Sequence, residues 1–131
     1  ISSWDVSSVS KMNGTFFVSS FNGDISNWDV SNVTNMSTMF KQSPFNGDLT
    51  NWDVSKVTDM TQMFKSSSFN GDISNWDVSN VTTMSRMFEE SLFNQDISSW
   101  NVTSVINCSN FSRNNSVWTL PKPNFTNCNP D

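Results

Sequence analysis

Trp4, Trp28, Trp52, Trp76 and Trp100 are spaced 24 residues apart without an insertion. Aligned on them, four units read Trp-Asp-Val-Ser-x-Val-Ser/Thr-x-Met-x-x-Met/Thr-Phe-x-x-Ser-x-Phe-Asn-Gly/Gln-Asp-Ile/Leu-Ser/Thr-x. Fixed periods of roughly 20 to 50 residues mark stacked units, each too small to bury its own apolar face. The core must therefore lie between neighbouring units rather than around one centre.

Composition agrees. Apolar residues make up 35% of the 131-residue chain, below the roughly 45–50% of a globular domain. Ser, Thr and Asn dominate, and Ala, His and Tyr are absent. The missing alanine argues against long helices. A formal charge of −5 argues against a nucleic-acid partner. No apolar run approaches the roughly 18 residues of a membrane span, and no signal-peptide pattern opens the chain.

Each unit parses into three pieces. The stretch Ile25 to Ser31 predicts a short strand with Trp28 and Val30 on one face and Asp29 on the other. Val33, Met36, Met39, Phe40 and Ser43 fall at helical spacing and predict one or two helical turns, with Thr34 placed to cap them. Phe45-Asn46-Gly47-Asp48 predicts a tight turn, since Asn and Gly both tolerate positive φ. A strand, a short helix and a turn per unit predict one coil of an α/β solenoid.

These units resemble the BspA-like branch of leucine-rich-repeat surface proteins, in particular the Trp-Asp-Val-Ser-x-Val-Thr-x-Met-x-x-Met-Phe repeat of mycoplasma-type surface lipoproteins. The best matches are Trp28 to Phe40, Trp52 to Phe64 and Trp76 to Phe88, and the resemblance covers residues 1–105. It implies a leucine-rich-repeat-like right-handed solenoid, with a short parallel strand and a short helix per repeat. It also implies a cell-surface location, with adhesion as one activity.

Departures from the repeat are local. Thr15 replaces a methionine and Gln95 a glycine, while Asn101, Ile106 and Cys108 replace Asp, Thr and Met. Residues 1–105 are therefore read as solenoid repeats and 106–131 as a C-terminal cap. Terminal units of repeat arrays are expected to be atypical. Cys108 and Cys128 are the only cysteines, and a disulfide pinning the cap is the economical reading, implying an oxidising compartment. Ile1 already occupies a repeat column, so the first coil is expected to present an open face.

The pattern Asn-x-Ser/Thr occurs at Asn13, Asn32, Asn35, Asn80, Asn101, Asn107, Asn110, Asn114 and Asn124. These are glycosylation candidates if the protein is secreted from a eukaryote; a polar bacterial surface protein would carry them unused.

Stacking turns every column into a ladder. The Trp, Val, Met, Phe and Ile/Leu ladders are expected to be core. Asp5, Asp29, Asp53 and Asp77 lie between inward Trp and Val and should point outward, on what would be the concave face of a leucine-rich repeat. Asn27, Asn51 and Asn75, with Ser7, Ser31, Ser55 and Ser79, would complete a flat Asn-Asp-Ser grid. Neighbouring carboxylates repel by roughly 1 kcal/mol in water at strand spacing. Hydrogen bonds from the Ser and Asn neighbours, or bound cations such as calcium, must offset this. A second ladder, Asp24, Asp48, Asp72 and Asp96, is expected to bond local backbone N–H groups. No metal-ligand pattern is present and no cofactor is expected, with calcium on the carboxylate ladders as the minor alternative.

Catalysis needs unlike groups converging in one place, whereas these candidates repeat nearly identically, so no enzyme activity is expected. The leading expectation is an extracellular or cell-surface recognition or adhesion module, binding a protein or glycan through a polar concave sheet. The alternative is a structural spacer or fibre subunit that stacks on further copies, or within a longer array, through its open N-terminal coil. Ice binding is a minor third reading, because Ser/Thr ladders can match a lattice.

Overall fold

A computed structural model describes all of residues 1–131. The chain forms a stack of five coils, taken here as residues 1–24, 25–48, 49–72, 73–96 and 97–115, followed by a terminal segment, 116–131. It contains no α-helix and no laddered strand. One column of isolated parallel bridges, Lys11–Asn35–Asp59–Thr83–Asn107, is its only β pairing. The expected right-handed α/β solenoid, with a strand and a helix per repeat, is overturned, and the leucine-rich-repeat assignment goes with it.

The reason lies in where the backbone N–H groups go. In the expected strand, Trp28 N–H returns to the Ile25 carbonyl at 3.1 Å and Val33 N–H to the Val30 carbonyl at 2.9 Å. Between them, Ser31 N–H is taken by Asp29 Oδ1 at 3.0 Å. Successive corners of this kind leave no row of N–H groups to pair with a neighbour. The inside-outside alternation nevertheless holds, with Trp28 and Val30 buried and Asp29 exposed.

The expected helix fails in a different way. The N–H groups of Met36, Thr38, Phe40 and Gln42 donate to the carbonyls of Asp59, Thr61, Met63 and Lys65 in the next coil, at 2.9–3.0 Å. Met39 and Lys41 instead donate back three residues, to Met36 and Thr38, at 3.3 and 3.2 Å. An α-helix would send every N–H to the carbonyl four residues back. Thr38 and Gln42 also have φ of 56° and 55°, on the left-handed side that a right-handed helix excludes. The same two columns hold positive φ in every coil: Gly14, Gln62, Arg86 and Asn110 in one, Val18, Ser66, Glu90 and Asn114 in the other. Val33, Met36, Met39, Phe40 and Ser43 are all buried, because repeated three-residue turns bring the chain inward at nearly the same positions as a helix.

Two local expectations change as well. Thr34 does not cap a helix; its hydroxyl donates to the Ser10 carbonyl of the preceding coil at 3.1 Å. Neither Asn46 nor Gly47 has positive φ. A Cβ on Gly47 would lie 2.8 Å from the Phe45 ring, so the glycine is there to let that ring fold against the backbone. Asn46 N–H donates to Asn22 Oδ1 at 3.1 Å, and the same bond links Asn70 to Asn46 and Asn94 to Asn70.

The core is one continuous cluster running along the stack. Phe40, Phe64 and Phe88 stack at 5.6 Å centroid spacing, and Phe45 and Phe69 pack on the first two at 4.4 and 4.3 Å. Each buried tryptophan anchors its coil to the one before. The indole N–H of Trp52 reaches the Ile25 carbonyl at 3.2 Å, Trp76 that of Leu49 and Trp100 that of Ile73, both at 3.0 Å. Trp4, in the first coil, is 61% exposed.

Coil backbone continues to Asn115, past the point where the sequence columns dissolve. Cys108 fills the buried column of Met36, Met60 and Met84 and is disulfide-bonded to Cys128. The terminal segment closes the apolar layer: Trp118 meets Phe88 and Phe93 edge-on, and Phe125 meets Phe111. Thr119 and Leu120 N–H groups both donate to Asn94 Oδ1, ending the asparagine ladder. No helix is long and apolar enough to cross a membrane.

Two stability measurements follow. Phe64→Ala removes a fully buried ring stacked against Phe40, Phe69 and Phe88 and should cost about 3–5 kcal/mol in urea unfolding. Thr38→Gly should be neutral or stabilising by up to about 1 kcal/mol, since relief of a β-branched residue at φ 56° offsets the usual entropic penalty of glycine. A loss above about 1 kcal/mol would mean the left-handed column is not strained.

Candidate functional site in the carboxylate columns

The outward Asp column is built by a turn repeated in each coil. Asp5 Oδ1 accepts both the N–H and the hydroxyl of Ser7, at 3.0 and 2.6 Å. Asp29 does the same with Ser31, Asp53 with Ser55 and Asp77 with Ser79. All four aspartates are exposed, and the serines are half-buried behind them. Asn101 occupies the column in the fifth coil and holds Thr103 in the same way, at 3.2 and 2.7 Å. The neutral amide therefore makes the same turn without the charge.

The second column repeats this chemistry. Asp24, Asp72 and Asp96 each accept the N–H and hydroxyl of the serine two residues on, and Asp48 accepts Thr50 N–H at 2.9 Å. Asn27, Asn51 and Asn75 are exposed beside the first column. The Asn-Asp-Ser residues thus share one side of the stack, but as a row of turn corners and not as a concave β-sheet.

Electrostatics follow from these bonds. The Ser31 hydroxyl, then its N–H, hold the Asp29 carboxyl below the ordinary 3.8, against weaker opposition from burial and from the charges of Asp5 and Asp53. Hydroxyl and N–H bonds lower Asp5, Asp53 and Asp77 in the same order. In Asp24, Asp48, Asp72 and Asp96 the N–H bond is the larger cause. Hydrogen bonds thus outweigh repulsion along the ladder, and no counter-ion is required to explain why the carboxylates line up. No three acidic or cysteine side chains come together in a way that could hold a metal ion.

Several Asn-x-Ser/Thr positions have structural work of their own. Asn35 Oδ1 accepts Ser37 N–H and hydroxyl, both at 2.8 Å, and Asn107 holds Ser109. Asn32 and Asn80 Nδ2 groups donate to Ser7 and Ser55 carbonyls at 2.9 and 2.8 Å. Asn110 and Asn114 sit in the positive-φ columns, while Asn13 and Asn124 are exposed. The pattern Asx-x-Ser/Thr is thus the chemical form of the corner itself. Reading two or three such corners in each repeat would have found the turns that the strand-and-helix reading missed.

One feature escaped the sequence reading. Glu89 is buried and pairs with Lys65 at 2.6 Å, with Arg86 at 3.9 Å. It stands where Lys41 and Lys65 stand in earlier coils, so only the column alignment places it beside a cation.

Acid should weaken the stack. Each lowered carboxyl contributes stability that is complete above the ordinary value and lost as pH falls through the folded-state value. Thermal stability should stay level between pH 7 and 5, then decline below about pH 4. Asp53→Asn should flatten that decline slightly while the coil stays folded; an acid limb unchanged in an Asp29/Asp53/Asp77→Asn variant would sink this account.

Two overlapping stretches, residues 1–68 and 42–125, match one family model, described as Mycoplasma protein of unknown function, DUF285. No curated protein and no solved structure matches the chain.

Proposed function

We propose, from the premise that this chain belongs to the DUF285 family of Mycoplasma proteins of unknown function, that it is an extracellular or cell-surface recognition and adhesion module. Its partner would be a surface protein or glycan presenting cationic or hydrogen-bond-donating groups. The carrying observation is the pair of aspartate columns, eight carboxylates repeated at the coil period, each with Oδ1 committed to a corner and the carboxylate exposed to solvent. A regular row of identical weak sites favours multivalent binding, in which each further contact is intramolecular. The same regularity speaks against catalysis, which needs unlike groups at one point. Within the family, the Trp28–Phe40 motif aligns the repeat with BspA-like surface proteins as kinship of sequence and location. The Cys108–Cys128 disulfide suits an oxidising exterior.

A spacer or fibre role is the second reading, supported by the way each coil bonds only to its immediate neighbours, so that length can grow by whole units. It would give filaments whose formation depends on concentration. Ice binding has less support, because the Thr34, Thr58 and Thr82 hydroxyls donate to carbonyls of the preceding coil rather than standing free toward a lattice.

Asn101 supplies the test. Replacing Asp29, Asp53 and Asp77 together by asparagine keeps the corners and removes three charges. Beads coated with the variant should attach to epithelial monolayers at least about tenfold less than beads coated with the parent chain, with unchanged circular dichroism. Equal attachment by both would remove the aspartate columns as the binding surface.

A further inference from the structure

A different surface lies at the far end of the stack. In the first four coils, sixteen N–H groups point along the stack from the ribbon columns: residues 12, 14, 16 and 18 and their counterparts through residue 90. Each donates to a carbonyl of the next coil, at 2.8–3.0 Å. The fifth coil repeats the backbone that aims them, with positive φ at Asn110 and Asn114. Its corresponding N–H groups, on Cys108, Asn110, Ser112 and Asn114, have no acceptor in the protein. Asn110 and Ser112 are half-buried, where N–H donors without a partner are costly, and alternating right- and left-handed residues are the backbone form of anion-binding nests.

The side chains around this row match it. A cleft of about 200 Å³ lies over Ser112, with Lys122 at one side and Phe111, Pro123 and Phe125 as apolar walls. It neighbours a hollow of about 340 Å³ that shares Ser112 and adds Asn110 and Arg113. Neither Lys122 nor Arg113 is in an ion pair, since both pairs in the structure involve Glu89. Lys122 Nζ is poised 4.9 Å over the Trp118 ring, with a single long contact, 3.5 Å, to the Trp118 carbonyl. Asp131 borders both hollows and is the one negative side chain there.

We propose that this cleft, between the ribbon of the fifth coil and the terminal segment, binds a small carboxylate carrying an apolar body. The N–H groups of Asn110 and Ser112 would receive the oxygens, Lys122 and Arg113 would neutralise the charge, and Phe111 and Phe125 would cover the apolar part. The disulfide between Cys108 and Cys128 holds the two walls together. A coil stacked on this face would meet the terminal segment, and the ligand would sit beside that segment. Asp131 opposes the anion, which sets the expected affinity at weak, about 1–10 mM.

The test is a titration of the 15N-labelled 131-residue chain, disulfide intact, with sodium benzoate and separately with neutral benzyl alcohol. Benzoate should shift the Asn110 and Ser112 amides saturably, and benzyl alcohol should not. Lys122→Gln and Arg113→Gln, both changes at exposed side chains, should each weaken benzoate about fivefold. Asp131→Asn should tighten it by a similar factor, a gain that a damaged fold could not produce. The assignment is overturned if benzyl alcohol shifts the same amides equally. It is also overturned if benzoate shifts the paired amides of Thr38, Gln62 and Arg86 as strongly, or if the charge changes leave its affinity unaltered.

Discussion

The fold depends on one small interaction: a side-chain oxygen accepting the N–H two residues further along the chain. Each full coil makes it at up to four places. Asp29 holds Ser31, Asn35 holds Ser37, the buried Ser43 hydroxyl accepts Phe45 N–H at 3.2 Å, and Asp48 holds Thr50. Each is worth only about 0.5–1.5 kcal/mol. Their effect is geometric, because closing a loop of 24 residues without helix or sheet requires sharp corners, and every corner strands a donor that must be satisfied. Short Asp, Asn and Ser side chains do this locally, which is why these residue types crowd a chain with so little apolar content.

With the corners made locally, the remaining backbone polarity can be spent between coils. The ribbon from Met36 to Gln42 alternates, one N–H to its own coil and the next to the neighbour. That alternation requires left-handed residues at fixed places, and the chain accepts Thr38, Gln42, Ser66 and Glu90 there, at a cost of about 1–2 kcal/mol each for a non-glycine residue. Aromatic stacking and indole N–H bonds, repeated at every coil, offset that cost. Stability therefore accumulates between neighbours, as in other quasi-one-dimensional repeats.

The period, the buried columns and the disulfide-pinned end are all visible in the sequence, because burial follows residue type and spacing. Architecture is not, for a specific reason. Inward positions at Val33, Met36, Met39, Phe40 and Ser43 fit a helix, yet chained three-residue turns bury the same set, so periodicity alone cannot separate the two. Trp28-Asp29-Val30 alternates like a strand, yet the alternation survives when the backbone turns twice between Ile25 and Val33. The left-handed columns carry Thr, Gln, Arg, Ser and Glu in the middle coils and Val18 in the first, and residue types that favour positive φ only at the ends, Gly14, Asn110 and Asn114, so residue type does not announce them along the stack. The clue that was present, Asx-x-Ser/Thr recurring two or three times per unit, resembles a glycosylation signal and an acidic ladder before it resembles a set of turns.

That same clue separates what the aspartates do for the fold from what they leave for a partner. A corner needs one oxygen acceptor, and Asn101 and Asn35 satisfy it with a neutral amide. The third column is indeed mixed, with Lys11, Asn35, Asp59, Thr83 and Asn107, and only Asn35, Asp59 and Asn107 make the corner. The two exposed columns instead carry aspartate at eight of nine places, Asn101 being the exception. The corner itself asks for an oxygen and not for a charge, while the Ser31 bonds favour the ionised Asp29 over the weaker repulsion from Asp5 and Asp53. Negative charge at corners that a neutral amide also closes stands exposed to solvent, and the coil period fixes its spacing along the stack.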